Sequence, residues 1–513
     1  MVHRREVLKL AVGALAGAVA TGARAAGDAP EPGFPLGAPA PFDPAMVTET
    51  ARNLARQPYK AVAADIPDPF KTLTYEQYVA IHLRPGATLW ANDNVGFALE
   101  PLHRGFIFST PMQINVVAGG EARRLTYDPV LFDFGKHAPP ATIGDIGFSG
   151  FRVLAPLDQG GFFEIATFQG ASFFRAVGHG QDSGTMARAL SIRTADPRGE
   201  EFPAFRSVWI ERPTIAGNAL VIFAIIDSES VTGAYRFTLR PGEATLIDTE
   251  CTLFARSSLD HYGIATMSAI HLSGSIDPTR NEDLRPSVAE IDGLQILTGM
   301  GEWIWRPVSN PLTLQTSTFV DNNPRGFGFL QRDRSFDHYQ DDDQHWENRP
   351  SLWLEPIGEW SSGGVQLVEI PTDSDINDNI VAYWRPKQLL SAGSEISFAY
   401  RQFWCLSPPE RPDLATVASS RSGRGSSLKK RRFLVEFAGP ILGRIATPEE
   451  IKPILTATPG SIVFVRTFFT RARAICRVLF ELDPAGESFS ELRLVIEAGG
   501  KPISETWVYR WTP

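Results

Sequence analysis

Between Gly301 and Trp384 the chain sets tryptophan, arginine and carboxylate side chains close together, in the words Gly-Glu-Trp-Ile-Trp-Arg-Pro from Gly301, Arg-Pro-Ser-Leu-Trp-Leu-Glu-Pro from Arg349 and Asn-Asp-Asn-Ile-Val-Ala-Tyr-Trp from Asn377. These are the residue types of a carbohydrate site. A sugar ring offers an apolar C–H face that stacks on an aromatic plane, and a hydroxyl edge that needs donors and acceptors. Trp303, Trp305, Trp353, Trp360 and Trp384 are the candidate platforms, and Arg306, Arg349, Glu302, Glu355 and Asp378 the candidate polar partners. Tryptophan in a β-rich protein is more often core than platform, so some of the five indoles are expected to be structural. Asp337, Tyr339, Asp341, Asp342 and Asp343 form a second, acidic group. It reads either as a subsite wall with a proton relay through ordered water, or as a solvated turn or cation site. The run of aspartates lacks the spaced D-x-D-x-D-G loop of a calcium site, so no obligatory metal is expected.

The elements that must position these residues are mostly strands. Short runs rich in β-branched and aromatic residues recur at 205–210, 219–226, 234–239 and 365–370, separated by Gly, Pro, Asn or Asp. From Ser394 to Phe403 the alternation puts Ile396, Phe398 and Tyr400 on one face and Ser397, Ala399 and Arg401 on the other, an antiparallel strand with one apolar side. Helical spacing is confined to 44–57 and 75–82. A Pro-rich and then Ser/Arg/Gly/Lys-rich stretch predicts a solvated linker over 406–432, its basic run Lys429-Lys430-Arg431-Arg432 included. Strands resume over 433–513, which predicts a small immunoglobulin-like β-sandwich. The length exceeds what one core usually serves. Two domains are therefore expected: a large, mostly antiparallel β domain over 26–405, followed by that smaller one.

At the N-terminus, His3-Arg4-Arg5 precedes a weakly apolar run to Ala20 and the small-x-small word Ala23-Arg24-Ala25. This predicts a twin-arginine export signal over 1–25, with the mature chain in the periplasm, because the run is about half the roughly 20 residues that a spanning helix needs. Net charge is −9. Removing Arg4, Arg5, Lys9 and Arg24 against Glu6 makes the mature chain more acidic still. Such a chain is a poor partner for nucleic acid or anionic lipid, and no other segment is apolar enough to be membrane-embedded. Cys251, Cys405 and Cys476 have no C-x-x-C spacing. One disulfide is open, but zinc binding is not indicated. No P-loop, dinucleotide-binding glycine word or G-x-S-x-G elbow is present, so no cofactor is expected.

At these words the chain resembles the osmoregulated periplasmic glucan biosynthesis proteins G and D. The resemblance begins at Pro58-Tyr59-Lys60 and Leu73-Thr74-Tyr75-Glu76-Gln77-Tyr78, continues through 204–213, is densest over 301–384 and ends at Ser504-Glu505-Thr506-Trp507. The export signal and Ser335-Phe336-Asp337-His338-Tyr339-Gln340-Asp341 look more like the D type. The family implies a large N-terminal β-sandwich with a cleft over 26–405 and a C-terminal immunoglobulin-like β-sandwich, acting on β-1,2-linked glucan in the periplasm, with D-type members similar to inverting endo-β-1,2-glucanases.

Inverting hydrolysis needs one protonated carboxyl and one ionised carboxylate about 6.5 to 9.5 Å apart. By resemblance Asp378 matches the acid. The base falls in Ala289-Glu290-Ile291-Asp292-Gly293-Leu294, where the family word His-Asp-x-x-Gly-Leu has become different. Glu290 takes the base position by register, with Asp292 as the alternative. Trp303, Trp305, Arg306, Tyr339, Asp341, Arg349, Trp353 and Trp384, read from their residue types, are the expected substrate contacts. The changed base word keeps two other readings open: a non-catalytic glucan-binding factor beside a membrane glucan synthase, and a branching transglycosylase, whose retaining chemistry needs carboxylates only about 5 to 5.5 Å apart.

Overall fold

The computed structural model describes residues 33–136, 143–158, 161–215, 217–277, 283–410 and 412–513; the expected export signal over 1–25 lies outside them. The chain divides into two compact units, Met1–Thr266 with Trp384–Cys405, and Met267–Tyr383 with Leu406–Pro513. The protein is mostly β, as its alternating patterns require, and no helix among the described residues is long and apolar enough to cross a membrane.

In the first unit, one sheet runs in the order Ala40–Pro41, Glu121–Arg124, Gln113–Ala118, Ala204–Glu211, Leu220–Asp227, Val231–Arg240, Thr245–Ala255 and Glu395–Cys405. The pairings are antiparallel except between Gln113–Ala118 and Ala204–Glu211, which run parallel. A second sheet takes in Met186–Ile192, Phe173–Ala176, Gly161–Gln169, Gly150–Asp158 and Ala98–Leu102. The two face each other as a sandwich. Phe168 and Phe174 of one sheet pack on Phe237 of the other at ring separations of 5.4 and 5.3 Å, and the Tyr235 hydroxyl donates to the Ala189 carbonyl at 2.9 Å. The expected helix over 44–57 is Pro44–Ala55, capped by the Asp43 side chain, and it buries Val47 and Ala51 against Trp209, Phe223 and Phe254. In Glu395–Cys405 the buried positions include Phe398, Tyr400 and Gln402, the alternation legible in the sequence.

In the second unit, a sheet runs Ser351–Ile357, Gly326–Leu330, Gly293–Leu297, Trp303–Pro307, Thr506–Trp511, Ser490–Ala498 and Lys452–Thr458. The strand Thr506–Trp511 pairs in parallel with Trp303–Pro307, with Trp507 opposite Trp305. The segment 433–513 thus shares a sheet with the tryptophan-rich segment. A further sheet, Thr416–Arg424, Arg431–Ala438, Ile475–Asp483 and Ser461–Thr470, packs Phe433 and Phe480 against Trp507. Residues 416–424, inside the stretch expected to be linker, are therefore a strand. Its polar composition reflects a strand whose outer face is wet, while Val417 and Ser420 are buried. All three cysteines are buried free thiols.

Gly328 lies directly opposite Trp353 in the pairing of Gly326–Leu330 with Ser351–Ile357, and a Cβ there would run into the Leu352 carbonyl and the Trp353 backbone. The obstacle is backbone, which cannot rotate away. Gly328→Ala is expected to lower stability by about 1–3 kcal/mol, read as a fall in thermal melting temperature.

Candidate functional site

The two expected catalytic carboxylates are held by one short segment of the second unit. Asp378 follows the loop after Ser362–Glu369 and is 5% exposed; its Oδ2 accepts the Ser268 hydroxyl at 2.6 Å. Glu290 follows the short strand Val288–Ala289, is 2% exposed, and its Oε2 accepts the Ile270 amide at 3.1 Å. Asn379 locks the same segment from its other side: its Oδ1 accepts the His271 amide at 2.8 Å and its Nδ2 donates to the His271 carbonyl at 2.9 Å. The acid and base candidates are thus brought to neighbouring points of 268–271.

The buried His271 ring fixes the turn between Glu290 and Asp292. Nδ1 donates to the Ile291 carbonyl at 3.1 Å and Nε2 to Asp277 Oδ1 at 3.0 Å. Burial opposes a charge on this ring, but the Asp277 carboxylate and the Ile291 carbonyl outweigh it and raise the imidazole above its ordinary range. Asp292, the alternative base, has a different task. Its Oδ2 accepts the amides of Arg332 at 2.5 Å and Asp333 at 2.7 Å, so it anchors the start of the acidic loop. Burial raises its pKa, and the two amide hydrogen bonds oppose that rise.

The loop over 333–349 is tied from within. Gln331 Nε2 donates to the Tyr339 hydroxyl at 2.8 Å and to the Trp346 carbonyl at 2.7 Å, and the Tyr339 hydroxyl donates to the Asp333 carbonyl at 3.1 Å. Burial, then the nearby Asp292 and Asp333 carboxylates, push the Tyr339 phenol well above its ordinary pKa against the Gln331 hydrogen bond. Arg349 donates to the Gln344 carbonyl at 2.8 Å and lies over the Trp346 ring. Asp341 Oδ2 accepts the Trp346 indole N–H at 2.9 Å, and Oδ1 takes the Asp343 and Gln344 amides at 3.1 and 3.0 Å. Asp342 and Asp343, by contrast, are exposed.

Arg285 joins this loop to the segment carrying Asp378. Its Nη1 reaches Asp375 at 2.8 Å and Asp341 at 3.2 Å, while Nε and Nη2 hold Asp283 at 3.0 and 2.8 Å. A cavity of about 470 Å³ opens beside this junction, lined by Leu272, Arg285, Ser374 and Asp375. Sequence reasoning missed Arg285, Ser268 and Gln331. None lies in a word that signals chemistry, and their roles come from partners distant in the chain.

Burial tends to raise the Asp341 pKa, but the Trp346 indole, the Gln344 and Asp343 amides and Arg285 outweigh it and hold the carboxyl below its ordinary range. A depressed carboxylate contributes stability that is present above its unfolded pKa and lost as pH falls through the folded value. Acidification below about pH 4 is therefore expected to change Trp346 fluorescence. Asp341→Asn should show the changed emission already at neutral pH, and Trp346→Phe should remove the transition.

The indoles take the place of core rather than of open platforms. Trp353 and Trp384 are fully buried, Trp305 and Trp360 are 3% exposed and Trp303 9%. Trp303 stacks on Trp353 with ring centroids 5.9 Å apart, and Trp305 lies 3.5 Å under the Arg332 guanidinium. Arg306 is 2% exposed and donates to Glu369 at 2.9 Å. Glu302 accepts the Thr506 hydroxyl at 2.7 Å and Arg493. Of the expected substrate contacts, Trp353, Trp384 and Arg306 are enclosed by protein in this structure. Among the described residues, no group of three His, Cys, Asp or Glu is arranged to hold a metal.

The aromatic surface is instead in the first unit. Tyr59, Phe106, Phe108, Phe202 and Phe205 line a cavity of about 870 Å³ together with Lys71, Arg206 and Asp227. Arg206 donates to Asp227 at 2.6 Å. Words far apart in the sequence, around Tyr59, Leu73 and Phe205, meet at this cavity.

A mostly β protein with an aromatic, charge-edged cavity and paired buried carboxylates has the make-up of a carbohydrate-active or carbohydrate-binding protein. Residues 42–511 match the family described as "Periplasmic glucan biosynthesis protein, MdoG". The chain is 42% identical over 476 residues to "Glucans biosynthesis protein G" of Vibrio cholerae, covering 92% of this chain and 87% of that one. It is 43% identical over 474 residues to the protein of the same name from Rhodopseudomonas palustris, covering 92% and 94%. The chain belongs to the MdoG family of periplasmic glucan biosynthesis proteins. These relatives carry the G designation, whereas the segment 335–341 had pointed to the D type.

Proposed function

We propose that the protein is exported to the periplasm, where it trims the backbone of a β-1,2-linked glucan as an inverting endo-β-1,2-glucanase, with Asp378 as general acid and Glu290 as general base. The observation that carries this reading is the shared anchor of the two carboxylates. Asp378 is held by Ser268 and Glu290 by Ile270, anchors two residues apart in the chain. Two carboxyls set on neighbouring anchors, rather than on a single residue, suit the wider placing of an inverting pair, about 6.5–9.5 Å against about 5–5.5 Å for a retaining one. Asp292 is spent on the loop amides, which leaves Glu290 as the base. The aromatic cavity of the first unit supports the glucan reading independently of cleavage, since rings with a few charged edges suit a saccharide.

The second reading, a factor that holds nascent glucan beside a membrane glucan synthase, is favoured by one observation: both carboxylates are engaged by 268–271 and serve a structural purpose there. Purified mature protein incubated with linear β-1,2-glucan separates the two. Release of reducing ends that are first formed as the α-anomer supports the inverting enzyme. Glucan binding without new reducing ends overturns it in favour of the binding factor, and first-formed β-anomers point to the transglycosylase chemistry.

A further inference from the structure

The basic run that reads as linker in the sequence does something more specific in the fold. The strands Thr416–Arg424 and Arg431–Ala438 pair so that Arg424 stands directly opposite Arg431. Cross-strand neighbours have their Cβ atoms about 4.5–5.5 Å apart, and like charges there repel. This pair belongs to a chain of net charge −9, where cations are the minority. Both arginines, with Lys429 and Lys430, line a cavity of about 960 Å³ in the second unit, whose other wall includes Tyr509 and Trp511 from alternate positions of the strand Thr506–Trp511.

Acidic side chains of this wall are already occupied. Asp277 gives one oxygen to His271 and the other to the Asn310 amide. Asp483 takes Lys430 at 3.6 Å and the Ala485 amide at 3.0 Å. Among the described residues Arg424 and Lys429 have no ion-pair partner. Arg431 donates to the Ser422 hydroxyl at 2.8 Å, and its Nε is buried without an acceptor. The remaining acidic side chain is Glu487, and Pro513, the last residue of the sequence, adds its α-carboxylate to the lining, which leaves two negative charges against three uncompensated cations.

We infer that this cavity is a binding site for a phosphorylated sugar, the phosphate lying between Arg424, Lys429 and Arg431 and the ring against Trp511. A phosphate supplies the acceptors these donors lack and removes the repulsion between the paired arginines. The aromatic wall gives the ring its stacking surface. This site is distinct from the Asp378 and Glu290 carboxylates and stands whether or not they cleave glucan.

The test is calorimetric titration of the full mature protein with glucose 6-phosphate, glucose and inorganic phosphate. Glucose 6-phosphate is expected to bind at one site, at least tenfold more tightly than either fragment. The double variant Arg424→Glu/Lys429→Glu, at two exposed positions, should lose at least tenfold in affinity with its melting temperature unchanged, while Arg424→Lys keeps most of it. Absence of glucose 6-phosphate binding, or binding indifferent to the double variant, overturns the proposal. So does capture of the protein by phosphatidylglycerol vesicles without any binding of the free ester, since that assigns the patch to a lipid surface.

Discussion

With asparagine in place of Asp378, the rate of reducing-end release from linear β-1,2-glucan should fall by about 10²–10⁴-fold, the usual contribution of a positioned general acid. Asparagine keeps the shape of the side chain and can still meet the Ser268 hydroxyl, now with an amide oxygen or nitrogen. The fold is therefore expected to survive and glucan binding to persist. Glu290→Gln should produce a loss of similar size, because the amide cannot take a proton from water. The informative contrast is Asp292→Asn. Asp292 anchors Arg332 and Asp333, so its loss is expected to loosen the loop and lower melting temperature, with a smaller effect on rate per folded molecule. If Asp292→Asn abolishes turnover in folded protein while Glu290→Gln leaves it intact, the base has been assigned to the wrong residue.

The largest effect on stability is expected at Arg306. Arg306 and Glu369 are both essentially buried and pair at 2.9 Å; Glu369 also accepts the Ser309 amide at 2.8 Å and the Ser309 hydroxyl at 3.1 Å. Arg306→Leu strands a carboxylate away from water, which costs about 3–5 kcal/mol. At about 2–4 °C per kcal/mol for a unit of this size, melting falls by roughly 10 °C. Arg306→Leu/Glu369→Leu removes both charges and should recover part of the loss. Glucan affinity of the folded fraction should be unchanged. A drop in affinity with melting unmoved would show that Arg306 meets substrate after all.

Strand positions and their faces were readable because one side of each strand must be apolar. The run from Ser394 to Phe403 and the helix at Pro44–Ala55 follow from that alone. The tryptophan words were readable as unusual but not as to purpose. Platform and core demand the same side chain, and only the stacking of Trp303 on Trp353, with Trp305 under Arg332, shows that these rings fill an interior. The polar stretch at 416–424 deceived for a related reason. Composition reports how wet a segment is, and a strand with one wet face looks like a linker until its partner is known.

By itself the sequence determined a mostly β protein, an acidic chain, and resemblance to a glucan biosynthesis family through words long enough to exclude chance. Those are properties of local pattern and composition, written residue by residue. Tertiary structure alone decided which carboxylates stand together: Asp378 and Glu290 meet at 268–271, Asp292 goes to the loop, and Arg285 gathers Asp283, Asp341 and Asp375. The partners are up to 110 positions apart in the chain. No period or spacing encodes such a meeting, because it is set by how the strands pair and pack, and side-chain chemistry depends on which groups share a few ångströms.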